Sequence, residues 1–157
     1  MASTPGTTGP VAARAPGRNA LAGVLLGLGI VAFVDETVFH QILHWHHFYD
    51  RASSAAGLVS DGVFHAFSWS ATVAALFLFA ALRRDRSLHP ARFVGGILTG
   101  AGAFQLYDGL VQHKLLGLHQ IRYVPDVLLY DLVWNVLAGI LLAVGLVLLV
   151  RTRERRR

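Results

Sequence analysis

Residues 33–47 read FVDETVFHQILHWHH and follow a long apolar run that starts near residue 20. Two carboxylates and four histidines therefore stand at the end of a segment that otherwise consists mainly of Leu, Val, Ala and Gly. Ionisable side chains are costly next to lipid, so in such segments they normally face a partner inside a helix bundle. The stretch thus predicts a membrane helix whose end carries a polar site.

Four apolar runs predict four membrane-spanning helices. Of the 157 residues, 54% are hydrophobic and 15% are charged, whereas a soluble domain is about one-quarter charged. The runs lie at about residues 20–43, 56–82, 93–116 and 127–150, and each reaches the roughly 20 residues that cross a hydrocarbon core. We therefore predict an all-α, four-helix transmembrane bundle over residues 19–150, with a disordered tail at 1–18 and a basic tail at 151–157.

The basic residues fall mainly on one side of the predicted membrane. Eleven of the fourteen lie in the two tails or in the loop between the second and third runs. The other three are Arg51, Lys114 and Arg122. Positive charge concentrates in cytoplasmic loops, so both termini are predicted to be cytoplasmic in a multi-pass protein of the cell membrane. The isoelectric point is high, about 10.4. This distribution indicates that the basic residues set the membrane topology and attract anionic lipid, rather than bind nucleic acid.

The first two runs resemble the last two in sequence. When Asp35 is aligned with Asp108, His40 matches His113 and His46 matches His119, at a constant offset of 73. When Asp61 is aligned with Asp131, His65 matches Asn135, at an offset of 70. The pattern predicts two tandem helical hairpins in the same orientation, related by an axis along the membrane normal. Such an axis would bring both sets of polar groups into one chamber that opens outward.

Three motifs carry a resemblance to a known family. They are F-x-D-x-x-x-F-H-Q-I-L-x-W-H-H at Phe33–His47, D-G-x-F-H at Asp61–His65, and Y-D-G-x-x-Q-H-K at Tyr107–Lys114. The chain resembles, over about residues 20–150, a family of small bacterial four-helix membrane proteins of unknown function. The resemblance implies an integral membrane protein of four helices and implies no activity.

The leading functional prediction is a transition-metal site in the polar chamber. Imidazoles and carboxylates from facing helices of a bundle form such sites, and this ligand set suits Fe, Mn, Zn or Cu(II). We expect the imidazoles of His40, His65 and His113 to converge. The predicted ligands or their hydrogen-bond partners are His40, His65, His113, Asp35, Asp61, Asp108 and Asp131. A second tier comprises His44, His46, His119, Glu36 and Asn135. The imidazoles of His44, His46, His47 and His119 are predicted to line the access route.

Other interpretations remain open at this point. Paired histidines such as His40 and His113 could ligate a b-type haem, or the Asp and His side chains could form a structural or proton-relay network without metal. A membrane hydroxylase is disfavoured because the sequence has only one histidine-rich box. Transport across the whole membrane is disfavoured because no ionisable residue lies between His65 and Arg83.

The composition excludes several classes of protein. The chain has no cysteine, and its one methionine is Met1, which excludes disulfides and thiolate sites and disfavours Cu(I) handling by soft ligands. No phosphate-binding loop or catalytic serine motif is present. The predicted partners are the lipid bilayer and either a second copy of the chain or an envelope or respiratory protein.

Overall fold

Four helices and their connecting loops make up the described part of the chain. The computed structural model describes residues 15–153, and the side chains from residue 17 onward. The α-helices are α1 (Ala15–Asp35), α2 (Ser54–Arg84), α3 (Pro90–Leu106) and α4 (Val127–Arg151). Two π-helical segments continue α1 and α3, namely π1 (Glu36–Ile42) and π2 (Tyr107–Leu116). The predicted tails fall mostly outside the described residues.

The structure confirms an all-α protein of four helices. Three of them are long and apolar enough to cross a membrane, at Gly17–Ile42, Ser54–Arg84 and Val127–Arg151. The third predicted span is helical over Pro90–Leu116, but it changes from α to π geometry after Leu106. The first helix begins at Ala15, earlier than the predicted start near Asn19.

Glycines let α1 and α3 approach at the centre of the bundle. A Cβ atom added at Gly23 would overlap the carbonyl oxygen of Phe93, and one added at Gly27 would overlap that of Ile97. Across the same interface, an added Cβ at Gly100 would overlap the carbonyl oxygen of Val24. Close backbone approach through small residues replaces the hydrophobic drive that is missing between helices in lipid. These glycines therefore fix the distance between the two helices that carry the polar stretches.

The outer helices pack by a related arrangement. Gly29 of α1 faces Ser68 and Thr72 of α2, while Gly102 of α3 faces Ala138 and Leu142 of α4. Most other side chains of α2 and α4 are exposed and apolar, as expected for surfaces covered by acyl chains. The order α2, α1, α3, α4 thus places the two polar stretches side by side in the middle.

Both central helices end in π turns, which the sequence pattern did not predict. After π1 the chain leaves the helix at His44, which has φ 50°, and after π2 it leaves at Gly117, which has φ 56°. A residue in the left-handed region commonly ends a helix. The loops that follow, at residues 43–53 and 117–126, turn back over the end of the bundle and carry His46 and His119. π turns frequently occur at functional sites.

The opposite end of the bundle carries the arginine-rich loop between α2 and α3. Asn19 donates a side-chain hydrogen bond to the carbonyl of Ser87 at 2.9 Å and accepts one from the amide of His89 at 2.8 Å. These bonds hold the α2–α3 loop, with its arginines, against the start of α1. The polar stretches and the arginine-rich loop therefore lie at opposite ends of the helices.

Candidate metal centre

Six buried side chains meet where the central helices end under the two loops. Each is less than a tenth exposed, and each belongs to one of two stretches with the spacing Asp-x4-His-x5-His. They are Asp35, His40, His46, Asp108, His113 and His119. Neighbouring imidazole centroids are 4.5 Å apart for His40 and His46, 4.5 Å for His46 and His119, and 4.7 Å for His113 and His119. The four rings thus form one continuous row.

The middle pair of the row, His46 and His119, is held by reciprocal hydrogen bonds. The Nδ1 of His46 lies 3.0 Å from the carbonyl oxygen of Ile121, and the Nδ1 of His119 lies 2.9 Å from that of Phe48. A carbonyl can only accept, so each Nδ1 carries the proton and each Nε2 of the neutral ring presents a lone pair. Both Nε2 atoms are buried without a hydrogen-bond partner in the described structure. Histidines that bind a metal are typically held in this way.

His40 is oriented by carboxylates on its outer side. Its Nδ1 lies 3.0 Å from Oδ1 of Asp61 and 3.1 Å from Oε2 of Glu36. Asp61 is itself fixed, because it accepts hydrogen bonds from the amide of Phe48 at 2.7 Å and from Nδ1 of His47 at 2.6 Å. The Nε2 of His40 points the other way, 3.9 Å from Asp35, and it has no hydrogen-bond partner. Asp61 and Glu36 therefore orient the imidazole of His40 through its Nδ1, while Asp35 lies on the side of its unpartnered Nε2.

Asp108 stands between two imidazoles of the second stretch. Its Oδ2 lies 3.0 Å from Nε2 of His113, and its Oδ1 lies 3.4 Å from Nε2 of His119. Neither nitrogen is in a hydrogen-bonding arrangement. Two ligands at right angles around one ion, with bonds of 2.0–2.2 Å, would be about 3.0 Å apart. The spacing therefore fits groups that share a cation.

The carboxylates in and beside the row have no basic side chain to balance them. Asp35, Glu36, Asp61 and Asp108 are each at most 3% exposed. In the part of the chain that the structure describes, the ion-pair partners of these four groups are histidines. Burying uncompensated charge costs several kcal/mol per ion. A bound cation, or protons on the imidazoles or on the carboxylates themselves, would remove this cost.

His46, in the loop after π1, is held in its neutral form. Burial lowers the pKa of its imidazole to about 2, and the neighbouring imidazoles of His119 and His40 contribute to the same direction. A neutral imidazole is the form that binds metal ions. His46 is thus available as a ligand at physiological pH.

The comparison with known families agrees with the fold. A family model described as "Predicted membrane protein (DUF2243)" matches residues 22–152. The chain belongs to the DUF2243 family. This match confirms the resemblance that was drawn from the three sequence motifs. No curated protein and no solved structure matches the chain, so the chemistry of this DUF2243 protein has to be argued from its own residues.

Several predicted ligands lie outside the row. His65 is partly exposed and packs against Phe33, with ring centroids 5.5 Å apart. The buried stripe of α2 runs through Asp61, Phe64 and Ser68, which leaves His65 at its edge. The expectation that His65 would converge with His40 and His113 is therefore not met.

Asp131 and Asn135 are also separate from the row. Asp131 pairs with Nζ of Lys114 at 2.5 Å, and Asn135 donates to the backbone carbonyl of Asp131 at 2.8 Å. The side chain of Asn135 lies against Gly109, and a Cβ atom added at Gly109 would be 2.5 Å from Oδ1 of Asn135. In the aligned sequences Gly109 stands opposite Glu36, so the two halves differ behind the imidazoles.

The histidines that were predicted to line an access route separate into three environments. His46 and His119 are buried in the middle of the row, whereas His44 is exposed. His47 bonds Asp61 from outside the row. The first run was predicted to end near residue 43, and π1 ends at Ile42. The chain then turns at His44, which leaves this side chain exposed, and the loop returns His46 to the interior.

Two apolar clefts flank the row in the DUF2243 protein. One of about 500 Å³ lies between α2 and α3 and is lined by Phe64, Phe104 and Gln112. The other, of about 640 Å³, lies between α1 and α4 and is lined by Asp35, Trp134 and Leu129 among others. The second cleft reaches Asp35 from the side of the bundle, whereas the loops cover the row from the end.

Proposed function

We propose that this DUF2243 protein binds a transition metal at the row of His40, His46, His119 and His113, with Asp35 and Asp108 as oxygen ligands. The observation that carries the proposal is the pair of buried Nε2 atoms on His46 and His119. With the Nδ1 proton of each neutral ring donated to a backbone carbonyl, each Nε2 presents a lone pair without a hydrogen bond, and that of His119 lies 3.4 Å from Oδ1 of Asp108. A buried acceptor left unpaired costs about 1–3 kcal/mol, and a metal ion removes that cost at both rings at once.

A purely structural network is the weaker explanation. Asp–His pairs that only hold helices together would satisfy their own hydrogen bonds, as His47 and Asp61 do at 2.6 Å. The nitrogens that face the inside of the row do not, although oxygens of Asp108 lie 3.0 and 3.4 Å from two of them. The Nε2 atoms of all four imidazoles of the row are therefore buried without a hydrogen-bond partner, as a set of metal ligands would be before an ion binds.

A b-type haem fits the geometry poorly. Haem ligated by His40 and His113 would need a flat apolar slot between the two rings. The imidazoles of His46 and His119 lie between them, with successive centroids 4.5, 4.5 and 4.7 Å apart. The nearby carboxylates also suit a bare cation better than a macrocycle.

The ligand chemistry favours Fe, Mn, Zn or Cu(II). Imidazole suits Fe, Cu and Zn, while carboxylate extends the range to Mn. With both termini in the cytoplasm, the row lies at the outer side of the membrane. We propose a metal-handling or redox role in the cell envelope, with a second copy or an envelope or respiratory protein as the partner. We further infer that the chain is a duplicated hairpin, because the aligned glycines, π turns and imidazoles make corresponding contacts.

Metal content and thermal stability test the proposal together. Wild-type protein purified in detergent is expected to retain at least one equivalent of Fe, Mn, Zn or Cu by elemental analysis. After stripping with a chelator, restoring the metal at about 100 times its Kd should stabilise the protein by about 2.7 kcal/mol. This corresponds to a rise of about 5–10 °C in Tm. Ca²⁺, which prefers oxygen ligands, should have no such effect. Background metal content together with an unchanged Tm would overturn the proposal.

The orientation can be tested by cysteine labelling, since the chain has no cysteine of its own. His44→Cys places a thiol in the exposed loop beside the row, and Arg84→Cys places one at the other end, where the arginine side chain is 78% exposed. An impermeant maleimide is expected to label His44→Cys on intact cells and Arg84→Cys only after permeabilisation. The reverse labelling would put the row on the cytoplasmic side.

A further inference from the structure

The six side chains of the row can be divided into two ligand sets with the same sequence spacing. Asp35, His40 and His46 have the spacing Asp-x4-His-x5-His, and so do Asp108, His113 and His119. In the first set, one ligand atom from each residue lies within 4.8 Å of the others. In the second set, Asp108 reaches His113 at 3.0 Å and His119 at 3.4 Å. Two histidines and one carboxylate on one face of an ion are a known arrangement for Fe(II).

We propose that the cluster binds two metal ions, one in each of these sets. This inference rests on the proposed metal-binding function and adds the number of metal ions bound per chain. The two sets touch through the stacked rings of His46 and His119, whose planes are 7° apart. In addition, a nitrogen of His46 lies within 4.8 Å of nitrogens of both His113 and His119. The two ions would therefore be neighbours, as in two-metal sites with separations of about 3.5–4 Å.

The buried carboxylates of the cluster carry enough negative charge for two ions. The four buried carboxylates at the cluster, Asp35, Glu36, Asp61 and Asp108, carry four negative charges when ionised. Their ion-pair partners in the described residues are imidazoles, and Nδ1 of His46 and His119 already serves backbone carbonyls. Two divalent ions would balance four negative charges, whereas a single ion would leave the rest to protons on the carboxylates or on the imidazoles that contact them.

The alternative is one ion held by the four imidazoles, with the aspartates outside. In that case every ligand would serve the same ion, and removing either set would abolish binding. If there are two ions, disrupting one set should remove only the ion bound by that set. The number of ions per chain in matched variants therefore separates the two arrangements.

The test is the stoichiometry of bound metal. Wild-type protein would be loaded with Zn²⁺ or Mn²⁺, desalted, and assayed for metal and protein. Two ions per chain are expected in wild type, and one in each of the variants Asp35→Ala/His40→Ala and Asp108→Ala/His113→Ala. One ion in wild type would overturn the two-ion inference and leave the proposed function intact. No ion in wild type would overturn both.

A second measurement avoids dependence on variant folding. Wild-type protein loaded with Mn²⁺ is expected to give the electron paramagnetic resonance spectrum of two spin-coupled ions at full loading. It should give the spectrum of isolated ions only at low loading. Isolated-ion signals alone at saturation would overturn the proposal.

Discussion

The double variant His46→Ala/His119→Ala is expected to lose bound metal to background. These two rings are the middle of the row, and each contributes one buried Nε2 without another partner. Loss of a partner that merely orients a ligand costs about 10–100-fold in metal affinity, so loss of two ligands should cost more than that. The measurement is elemental analysis of protein purified in the same detergent, after loading and desalting.

The matched control is His44→Ala/His65→Ala, which removes the same number of histidines. His44 is exposed in the loop two residues before His46, and His65 packs against Phe33 away from the row. This control is expected to keep wild-type metal content. Equal loss in both variants would mean that binding depends on histidine number or on folding rather than on the row.

Gly27→Ala is expected to disrupt the centre of the bundle. The added Cβ would overlap the carbonyl oxygen of Ile97, which is backbone and cannot rotate aside. Overpacking costs about 1–3 kcal/mol, occasionally more, when neighbours can shift. Here α1 and α3 would have to separate, so we expect the upper end, about 3 kcal/mol. For a chain of this size that lowers Tm by about 6–12 °C.

The control for this effect is Gly139→Ala in α4, where an added Cβ meets nothing within 4 Å. It makes the same chemical change in another helix of the bundle and should leave Tm unchanged or slightly higher, since Ala favours helix over Gly. The Tm of both variants can be measured by heating the protein in detergent and monitoring the loss of the monodisperse peak in size-exclusion chromatography. A Gly27→Ala protein as stable as Gly139→Ala would contradict the close α1–α3 contact.

The helices follow from the sequence, because length and apolar composition alone determine them. The alignment of Asp35 with Asp108 contained the six side chains of the row, whereas the alignment of Asp61 with Asp131 also placed His65, Asp131 and Asn135 in the chamber, and these lie outside the row. The first alignment paired His46 with His119, and the structure stacks those two rings with centroids 4.5 Å apart.

The details of the site could not be read from periodicity. A π turn adds a residue without changing the apolar pattern, so the sequence did not show that His44, a predicted second-tier ligand, would be exposed in a loop while His46 is buried. His65 was predicted as a ligand, but the rotation of α2 about its axis is decided by packing at Phe64 and Ser68. The roles of His46 and His119 depend on backbone carbonyls of Ile121 and Phe48, which no side-chain pattern reveals.

Anomalous diffraction from crystals of the wild-type protein, recorded at the absorption edge of the metal it retains, is the most direct test. The expected result is anomalous density within about 2.0–2.2 Å of Nε2 of His46 and of His119. Protein that retains metal but has no anomalous density beside these two nitrogens would contradict the account, and so would density confined to surface histidines such as His44.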